Sequence, residues 1–526
     1  MAMLLRAEDA KDWIYKGEGA ANIVLSYRGS SLFLLGKVLR IQKVPKGSTK
    51  SVNGCAVLSR HEKLLWGDVE ELVESKSKDI AQQNYIKHVM SHMLGPKYID
   101  EGTYVTVSRE FLESVEKNVH DQRPAWRINA AEVDTSCDSA FLISDHSVFT
   151  GTPRGDFCVA VEIKPKCGFL PSSEFITKAN AIKKSVTRFR MHQFLKLHQG
   201  EISNISEYNP LDLFSGSKDR IYQAITTLFA TPQNNFRIFL NGSLIFGGLG
   251  GGMDSAAVRS HEENTAIKDL IKVSGLQLPG FLELVAEAIF SSGVLDKLLA
   301  TQKLDVLDIE GAIHAYYNII SQPCMVCKNL GDPELLDQYS LLHSFPLDKS
   351  LKILRDYLIA ATAKDCSLMI SFRPVQGGSA ASGYNSIFLE SSNQNFEYKA
   401  YFIDLDMKPL EKMVHYYELD QKIVIFYMKS KDLGGSLCDS ITQGDIMRRR
   451  GRYAGVQFQF SQTEAGTSSS TQQPEASSAA QHSESCPSSS AQHDPPVHQS
   501  DDEIHMQDGS GRVRPRRGPT VVRDVW

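Results

Sequence analysis

The chain has no strong bias of charge. Its 526 residues carry 57 Lys+Arg against 62 Asp+Glu, a formal net charge of −5. That excludes the strongly basic balance of many nucleic-acid binders. A long apolar run is also missing. The most apolar region, Phe236 to Met253, is interrupted by Asn241, Ser243 and several glycines, so no membrane span is expected. Met1 to Lys11 mixes charged and apolar residues and lacks the continuous apolar stretch of an export signal. The nine cysteines are odd in number and mostly scattered. This argues for free thiols in a reducing compartment and against a disulfide framework. The expectation is a cytoplasmic or nuclear protein, not secreted, with neither membrane nor nucleic acid as partner, acting as a monomer. At ~100–200 residues per domain, the length predicts two to four structural units.

Composition changes sharply near the end. Residues Ser461 to Trp526 hold 13 Ser, with many Gln, Pro and His, and 5 Arg against 9 acids. Such a segment buries too little apolar surface to offset its chain entropy, so disorder is expected there. Residues 431–460 read as transitional. The body before them alternates strand and helix patterns and predicts a mixed α+β fold. Strands are expected over 22–27, 32–41, 157–163, 366–372 and 401–406, with a hairpin over 237–246 that turns at Asn241-Gly242. Helices are expected over 79–94 with Asp79 as cap, over 178–197, and near 281–300, 306–320 and 349–361.

Four constellations carry chemistry. Gly17-Glu18-Gly19 lies between two apolar segments, and Lys37 to Arg40 follows on the next strand. By itself this is a hairpin turn. Beside a strand cation it is also the way protein kinases cover nucleotide phosphates. Glu162-Ile-Lys-Pro-Lys166 ends a strand in two lysines. From Lys164 to Lys196 there are eight Lys+Arg and one acid, with Lys184, Arg188, His192 and Lys196 every four residues. Like charges stacked so on one helix face destabilise it unless an anion neutralises them, which predicts a polyanionic ligand. Lys408, Lys412 and Tyr416 repeat that spacing. Asp365 and Asp404 each lie near the end of an apolar strand, where paired acids suit Mg²⁺ and activation of a hydroxyl. Finally, Cys324 and Cys327 are flanked by His314 and His343. This donor set predicts a tetrahedral, structural zinc site, against the alternative of free thiols.

The ordered blocks Asp12 to Gly19, Gly36 to Lys43, Trp126-Arg127, Glu162 to Pro171, Met191 to Gln193, Pro210 to Ser217, Phe239 to Ser243, Lys303 to Asp305, Ala360 to Asp365 and Phe402 to Asp404 resemble the inositol-pentakisphosphate 2-kinases. The plant form is matched closely, from about Asp9 to Tyr427. The resemblance implies a two-lobed inositol-polyphosphate-kinase fold, distantly protein-kinase-like, with an N-lobe over 1–147, a C-lobe over 148–430 and a variable tail over 431–526. It implies transfer of the ATP γ-phosphate to the 2-hydroxyl of inositol 1,3,4,5,6-pentakisphosphate, giving inositol hexakisphosphate. On it, Gly17, Gly19, Ala20, Ala21, Asn22 and Arg40 would contact the nucleotide, with Ser144 to His146 as the hinge. Asp404 would hold Mg²⁺, Asp365 would act as base and Lys164 would stabilise the moving phosphoryl group. Arg127, Lys166, His192, Lys196, Asn241, Lys408, Lys412 and Tyr416 would hold the inositide. His314, Cys324, Cys327 and His343 match the family's zinc ligands. Two departures stand out: Lys412 where Arg is expected, and a poor match over Gly247 to Gly252. The rival reading is a non-catalytic inositide- or nucleic-acid-binding module, which would not need the two acids or the glycine turn.

Overall fold

The computed structural model describes residues 3–19, 21–46, 57–149, 157–247, 275–328, 330, 333–375 and 383–432. Ala20, the segment 248–252 and the expected tail from 433 lie outside the described residues.

Two sheets organise the described residues. The first takes its strands from the N-terminal third: β1 (Leu4–Leu5), β2 (Trp13–Glu18), β3 (Asn22–Tyr27), β4 (Lys37–Pro45), β5 (Thr103–Val107), β6 (Ala131–Val133) and β7 (Ser139–Ser144). Their order is β1-β5-β7-β4-β3-β2, with β6 on β4. β3 alternates as a half-buried strand should, with Ile23 and Leu25 fully buried. They pack with Leu39, Ile41 and the apolar stripe Phe111, Leu112, Val115 and Val119 of helix Arg109–Val119. The second sheet is β8 (Val159–Ile163), β9 (Phe236–Leu240), β10 (Ser243–Phe246), β11 (Ser367–Pro374), β12 (Asn385–Leu389) and β13 (Gln394–Ile403), ordered β10-β9-β8-β11-β13-β12. β8 is central and buried along its whole length. Its one charged residue, Glu162, is satisfied by Arg237 at 2.8 Å and Ser367 at 3.0 Å. The larger core joins this sheet to the C-terminal helices. It also takes in the buried faces of the helices between β4 and β5, including Trp66, Tyr85 and Met90.

Several elements differ from expectation. Residues 32–36 form a turn, and the strand begins at Lys37. The helix over 78–94 is capped by Ser77, whose side chain accepts from Ile80 N–H, and a π-turn interrupts it over Ile86–Met90. Asp79 instead receives hydrogen bonds from Gln42 and Ser139. The basic segment is two helices, a 3₁₀ piece over Lys178–Lys184 and an α-helix, α1, over Arg188–His198 capped by Thr187. Lys184 therefore does not share a helix with Arg188, His192 and Lys196. The region near 281–300 is two helices, Leu278–Ser292 and Val294–Gln302, bent by 67° at Gly293, which takes φ +59°. Among the described residues no single helix is long and apolar enough to cross a membrane.

Candidate functional site

Strand direction explains the site. β8 ends at Ile163, which faces Leu368 near the start of antiparallel β11. β11 begins at Ser367, which faces Ile403 at the end of β13. Ile163 also faces Phe236 at the start of β9. One end of the sheet therefore collects Lys164 after β8, Asp365 before β11, Asp404 after β13, and Asn234 and Asn235 before β9. Lys164 N–H donates to the Asn235 carbonyl at 2.9 Å. Asp404 and Lys166 both take positive φ, +61° and +60°, a conformation non-glycine residues adopt only when their surroundings hold them there.

At that end Lys164 Nζ lies 3.4 Å from Asp404 Oδ2. Lys408 Nζ lies 2.7 Å and Lys166 Nζ 3.8 Å from the Asp365 carboxylate. Burial alone would raise both carboxyl groups. For Asp404, Lys164, Arg40 and Arg237 outweigh it and hold the group below its ordinary value. For Asp365, Lys408, Lys166 and Lys164 bring it down to about 2. Lys166 moves the opposite way. Burial, with Lys164, Lys196 and Lys408 nearby, overcomes Asp365 and lowers it to about 7. Burial is the main cause, and the three neighbouring lysines add to it; an anion placed among these four cations would favour the charged form of Lys166.

The cavity beside these groups is lined by Lys166, Arg188, His192, Lys196, Gln233, Asn234, Asn235 and Tyr416. His192 is buried and pushed well below its ordinary value by burial, Lys196 and Arg188. The inner wall is charge-compensated. Lys183 is held by Asp308 at 2.5 Å, Asp420 at 2.6 Å and Glu310 at 3.2 Å, and Arg188 shares Asp420 at 2.6 Å. The three carboxylates lie close enough to hold a metal ion, but the Lys183 ammonium already fills that position. Lys364 pairs with Asp305 at 2.6 Å on the same wall.

A second cavity lies between the two sheets. Arg40, Ser144 and His146 line it together with Lys16, Asp100 and Asp404. His146 stacks on Tyr401 at 4.0 Å and faces Asp100 at 3.3 Å. Arg40 reaches Asp406 at 3.1 Å. The glycine turn is firmly anchored: the Gly19 N–H donates to the Asn22 carbonyl at 2.9 Å. The Glu18 side chain is 1% exposed and takes Arg123 at 3.1 Å and Lys43 on its carboxylate.

Two expected inositide residues fall elsewhere. Arg127 donates to the Gly19 carbonyl at 2.9 Å and stacks on Trp126, so it sits under the glycine turn. Asn241 is at the far end of β9, roughly 15 Å from the Lys164 end on strand rise alone. Its side-chain oxygen accepts from Cys158 N–H at 2.9 Å. Lys412 is in a short 3₁₀ turn, Leu410–Lys412, before helix α2 (Met413–Asp432), which carries Tyr416. Gln233, Asn234, Asn235, Lys16, Asp100 and Arg237 were missed. Only Lys16 lay inside a recognised block, and the asparagines follow no chemical motif.

The four residues His314, Cys324, Cys327 and His343 converge, with donor atoms all within 4.8 Å of one another. Cys327 Sγ is 3.3 Å from His343 Nε2 and 3.6 Å from His314 Nδ1, and the two ring nitrogens are 3.1 Å apart. Bonds of about 2.0–2.3 Å around a tetrahedral ion imply donor separations of roughly 3.3–3.8 Å, so this set fits a metal ion. His343 Nδ1 is oriented by Asn318 Oδ1 at 2.8 Å, the kind of partner that fixes a ligating ring. The hydrogen bond from Cys327, helped by His314, holds the Cys324 thiol below its ordinary value against burial.

The inositol-pentakisphosphate 2-kinase family model matches residues 15–422. The inositol-pentakisphosphate 2-kinase IPK1 of Oryza sativa subsp. japonica is 62% identical over 435 residues, covering 83% of this chain and 97% of its own length. The Arabidopsis thaliana inositol-pentakisphosphate 2-kinase is 52% identical over 440 residues, 82% of this chain and 96% of its own. That of Danio rerio is 31% identical over 501 residues, 81% and 95% respectively. With the acids, the basic cavity and the glycine turn in place, and with relatives matched over nearly their whole length, the chain belongs to the inositol-pentakisphosphate 2-kinase family of enzymes.

Proposed function

We propose that the chain is a two-lobed kinase that moves the γ-phosphoryl group of ATP to the 2-hydroxyl of inositol 1,3,4,5,6-pentakisphosphate, giving inositol hexakisphosphate. The observation that carries this reading is the convergence of Lys164, Asp365 and Asp404 at one sheet end, with a cation-lined cavity beside it and a second cavity between the sheets that Asp404 also lines.

In this reading the first sheet and its turn form the N-lobe, and the division falls near residue 147. ATP occupies the cavity between the sheets, its base against the hinge at Ser144 and His146 and its phosphates toward Arg40 and Lys164. The pentakisphosphate lies against Lys166, His192, Lys196 and Tyr416, with Lys408 beside Asp365. Phosphoryl transfer between oxygens rests on positioning and charge neutralisation more than on covalent chemistry. Lys164 offsets charge on the moving group. Asp404 would hold Mg²⁺, which when bound neutralises and orients the phosphates. Asp365 orients the 2-hydroxyl and takes its proton. Paired with Lys408 at 2.7 Å it is a weak base, and inositide phosphates drawing Lys408 and Lys166 to themselves would strengthen it. The His2Cys2 set would hold Zn²⁺ with no open position, a structural tie between helix Asp308–Ile320 and the segment after it. The reading implies a monomer acting on two soluble anions in cytoplasm or nucleus.

The test is ATP consumption by the full chain with and without the pentakisphosphate. Consumption that depends on the inositide supports the reading. Tight binding of the inositide without consumption returns the chain to a binding module.

A further inference from the structure

Lys16 has no part in that phosphoryl transfer, yet its side chain is fully engaged. It projects from β2, in the first sheet, one residue before the glycine turn begins. Its ammonium donates to Asp145 Oδ2 at 2.7 Å, to Ser147 Oγ at 2.7 Å and to the Gly242 carbonyl at 3.0 Å. Asp145 and Ser147 belong to the segment that joins the two sheets. Gly242 belongs to the β9–β10 turn of the second sheet. A single cation therefore ties together both sheets and their connection.

Its partners are held in place for it. The Asp145 side chain is 6% exposed, and its other oxygen accepts from Ser147 N–H at 3.0 Å and from the Ser147 hydroxyl at 2.5 Å. Asp145 N–H donates to the Gly36 carbonyl at 2.7 Å, which fixes it to the entry of β4. Asn241 and Gly242 take φ +48° and +83°, as the two central residues of a tight hairpin turn require. A Cβ on Gly242 would come within 3.0 Å of Val148 and 3.6 Å of both Asp145 Oδ2 and Ser147 Oγ. Asn241 in turn pins the hairpin to β8 through both Cys158 backbone groups, at 2.9 and 2.8 Å. An ammonium has three N–H bonds, and all three find acceptors here. Lys16 lines the cavity between the sheets, but it has no donor left for a phosphate unless it gives one up.

We propose that Lys16 is a positioning residue that clasps the two lobes, holding the strand that leads into the glycine turn against the hinge and the Asn241-Gly242 turn before nucleotide enters. The inference rests on the reading that the cavity between the sheets takes ATP. It explains why Asn241 sits at the hinge end of β9: that turn serves the clasp, while the other end of the strand serves the inositide.

The experiment compares wild type, Lys16→Met and the double variant Lys16→Met/Asp145→Asn. The double variant removes the unpaired buried carboxylate that the single one leaves behind. Backbone hydrogen exchange is followed over β2, β3 and the β9–β10 turn in the nucleotide-free full chain, alongside melting temperature and the KM for each substrate. Both variants should exchange faster at these strands and raise the KM for ATP about tenfold, the order expected for loss of a charge-assisted hydrogen bond. The KM for the inositide should stay within about twofold, because its cations lie on the second-lobe side. The double variant should regain melting temperature without regaining the KM. A raised KM for ATP with unchanged exchange would make Lys16 a direct nucleotide ligand and overturn the clasp. A KM that recovers together with melting temperature would reduce Lys16 to a stabilising residue and overturn it equally. Should wild type fail to phosphorylate the inositide, the functional reading falls, and the exchange comparison still decides the clasp.

Discussion

Inositide binding should take up a proton through Lys166, and affinity should fall as pH rises above neutral. Burial and three neighbouring lysines hold this ammonium at about 7, against an ordinary 10.5. At pH 8 roughly a tenth of free molecules carry the charge, one unit above the midpoint. A phosphate group placed on Lys166 favours the charged form and restores its pKa toward the ordinary range or beyond. Binding at pH 8 should therefore take up about 0.9 proton, and between pH 7 and pH 9 the affinity should weaken by about fifty-fold from this residue alone. The phosphates of the ligand deprotonate over part of the same range and act in the opposite direction. A Lys166→Arg variant, which stays charged throughout, supplies the reference. In the free protein the contribution of Lys166 to stability has the reverse dependence. Between about 7 and 10.5 this residue is protonated in the unfolded chain and neutral in the folded one, so its contribution to stability rises with pH over that window. Calorimetry at pH 8 in two buffers of different ionisation enthalpy reads the proton count directly. No uptake, together with wild-type and Lys166→Arg profiles of equal slope, would refute the reasoning and mean that Lys166 is charged before the ligand arrives.

Replacing Asp404 or Asp365 with Ala should cut turnover by about 10³ or more while far-ultraviolet circular dichroism is preserved; near-normal turnover in a folded variant would remove that residue from the mechanism. Purified protein should contain about one zinc per chain, and chelation should lower its melting temperature before it changes the initial rate. Active protein free of zinc would return Cys324 and Cys327 to ordinary thiols. Arg123→Ala leaves the Glu18 side chain, 1% exposed in the intact protein, with Lys43 as its one counter-ion among the described residues, so it should cost about 3–5 kcal/mol in urea unfolding; a loss under about 1 kcal/mol would mean that water reaches the site.

The chemistry at strand ends was legible where a motif and an apolar run coincide. Glu162 to Lys166 and Phe402 to Asp404 each announce a strand and the charged residue at its end, and the Cys-x2-Cys pair with two flanking histidines announces the four-ligand cluster. Local turn chemistry was equally plain at Asn241-Gly242. Strand direction was not. Nothing within residues 236–246 reveals that β9 runs antiparallel to β8, yet that alone sends Asn241 to the hinge and Asn235 to the inositide side. The basic helix failed for a related reason. Thr187 was available as a cap, but the four-residue spacing of charges hid the break before it. Which lysine turns inward was decided from afar, since Lys183 is buried by Asp308, Glu310 and Asp420, at least 125 residues on. Ser77 outcompetes Asp79 as cap because Asp79 is committed to Gln42 and Ser139 in the first sheet.

On the proposed function, the basic cavity presents a single inositol hydroxyl to Asp365, with the nucleotide cavity on the other side of Lys164 and Asp404. The most direct measurement is phosphorus and proton NMR of the product formed from ATP and inositol 1,3,4,5,6-pentakisphosphate, run beside inositides that already carry a 2-phosphate and lack one elsewhere. A single product bearing the new phosphate at the 2-position is expected, with no turnover of the 2-phosphorylated inositides. Phosphate appearing at another position, or equal turnover of inositides already phosphorylated at the 2-hydroxyl, would contradict it.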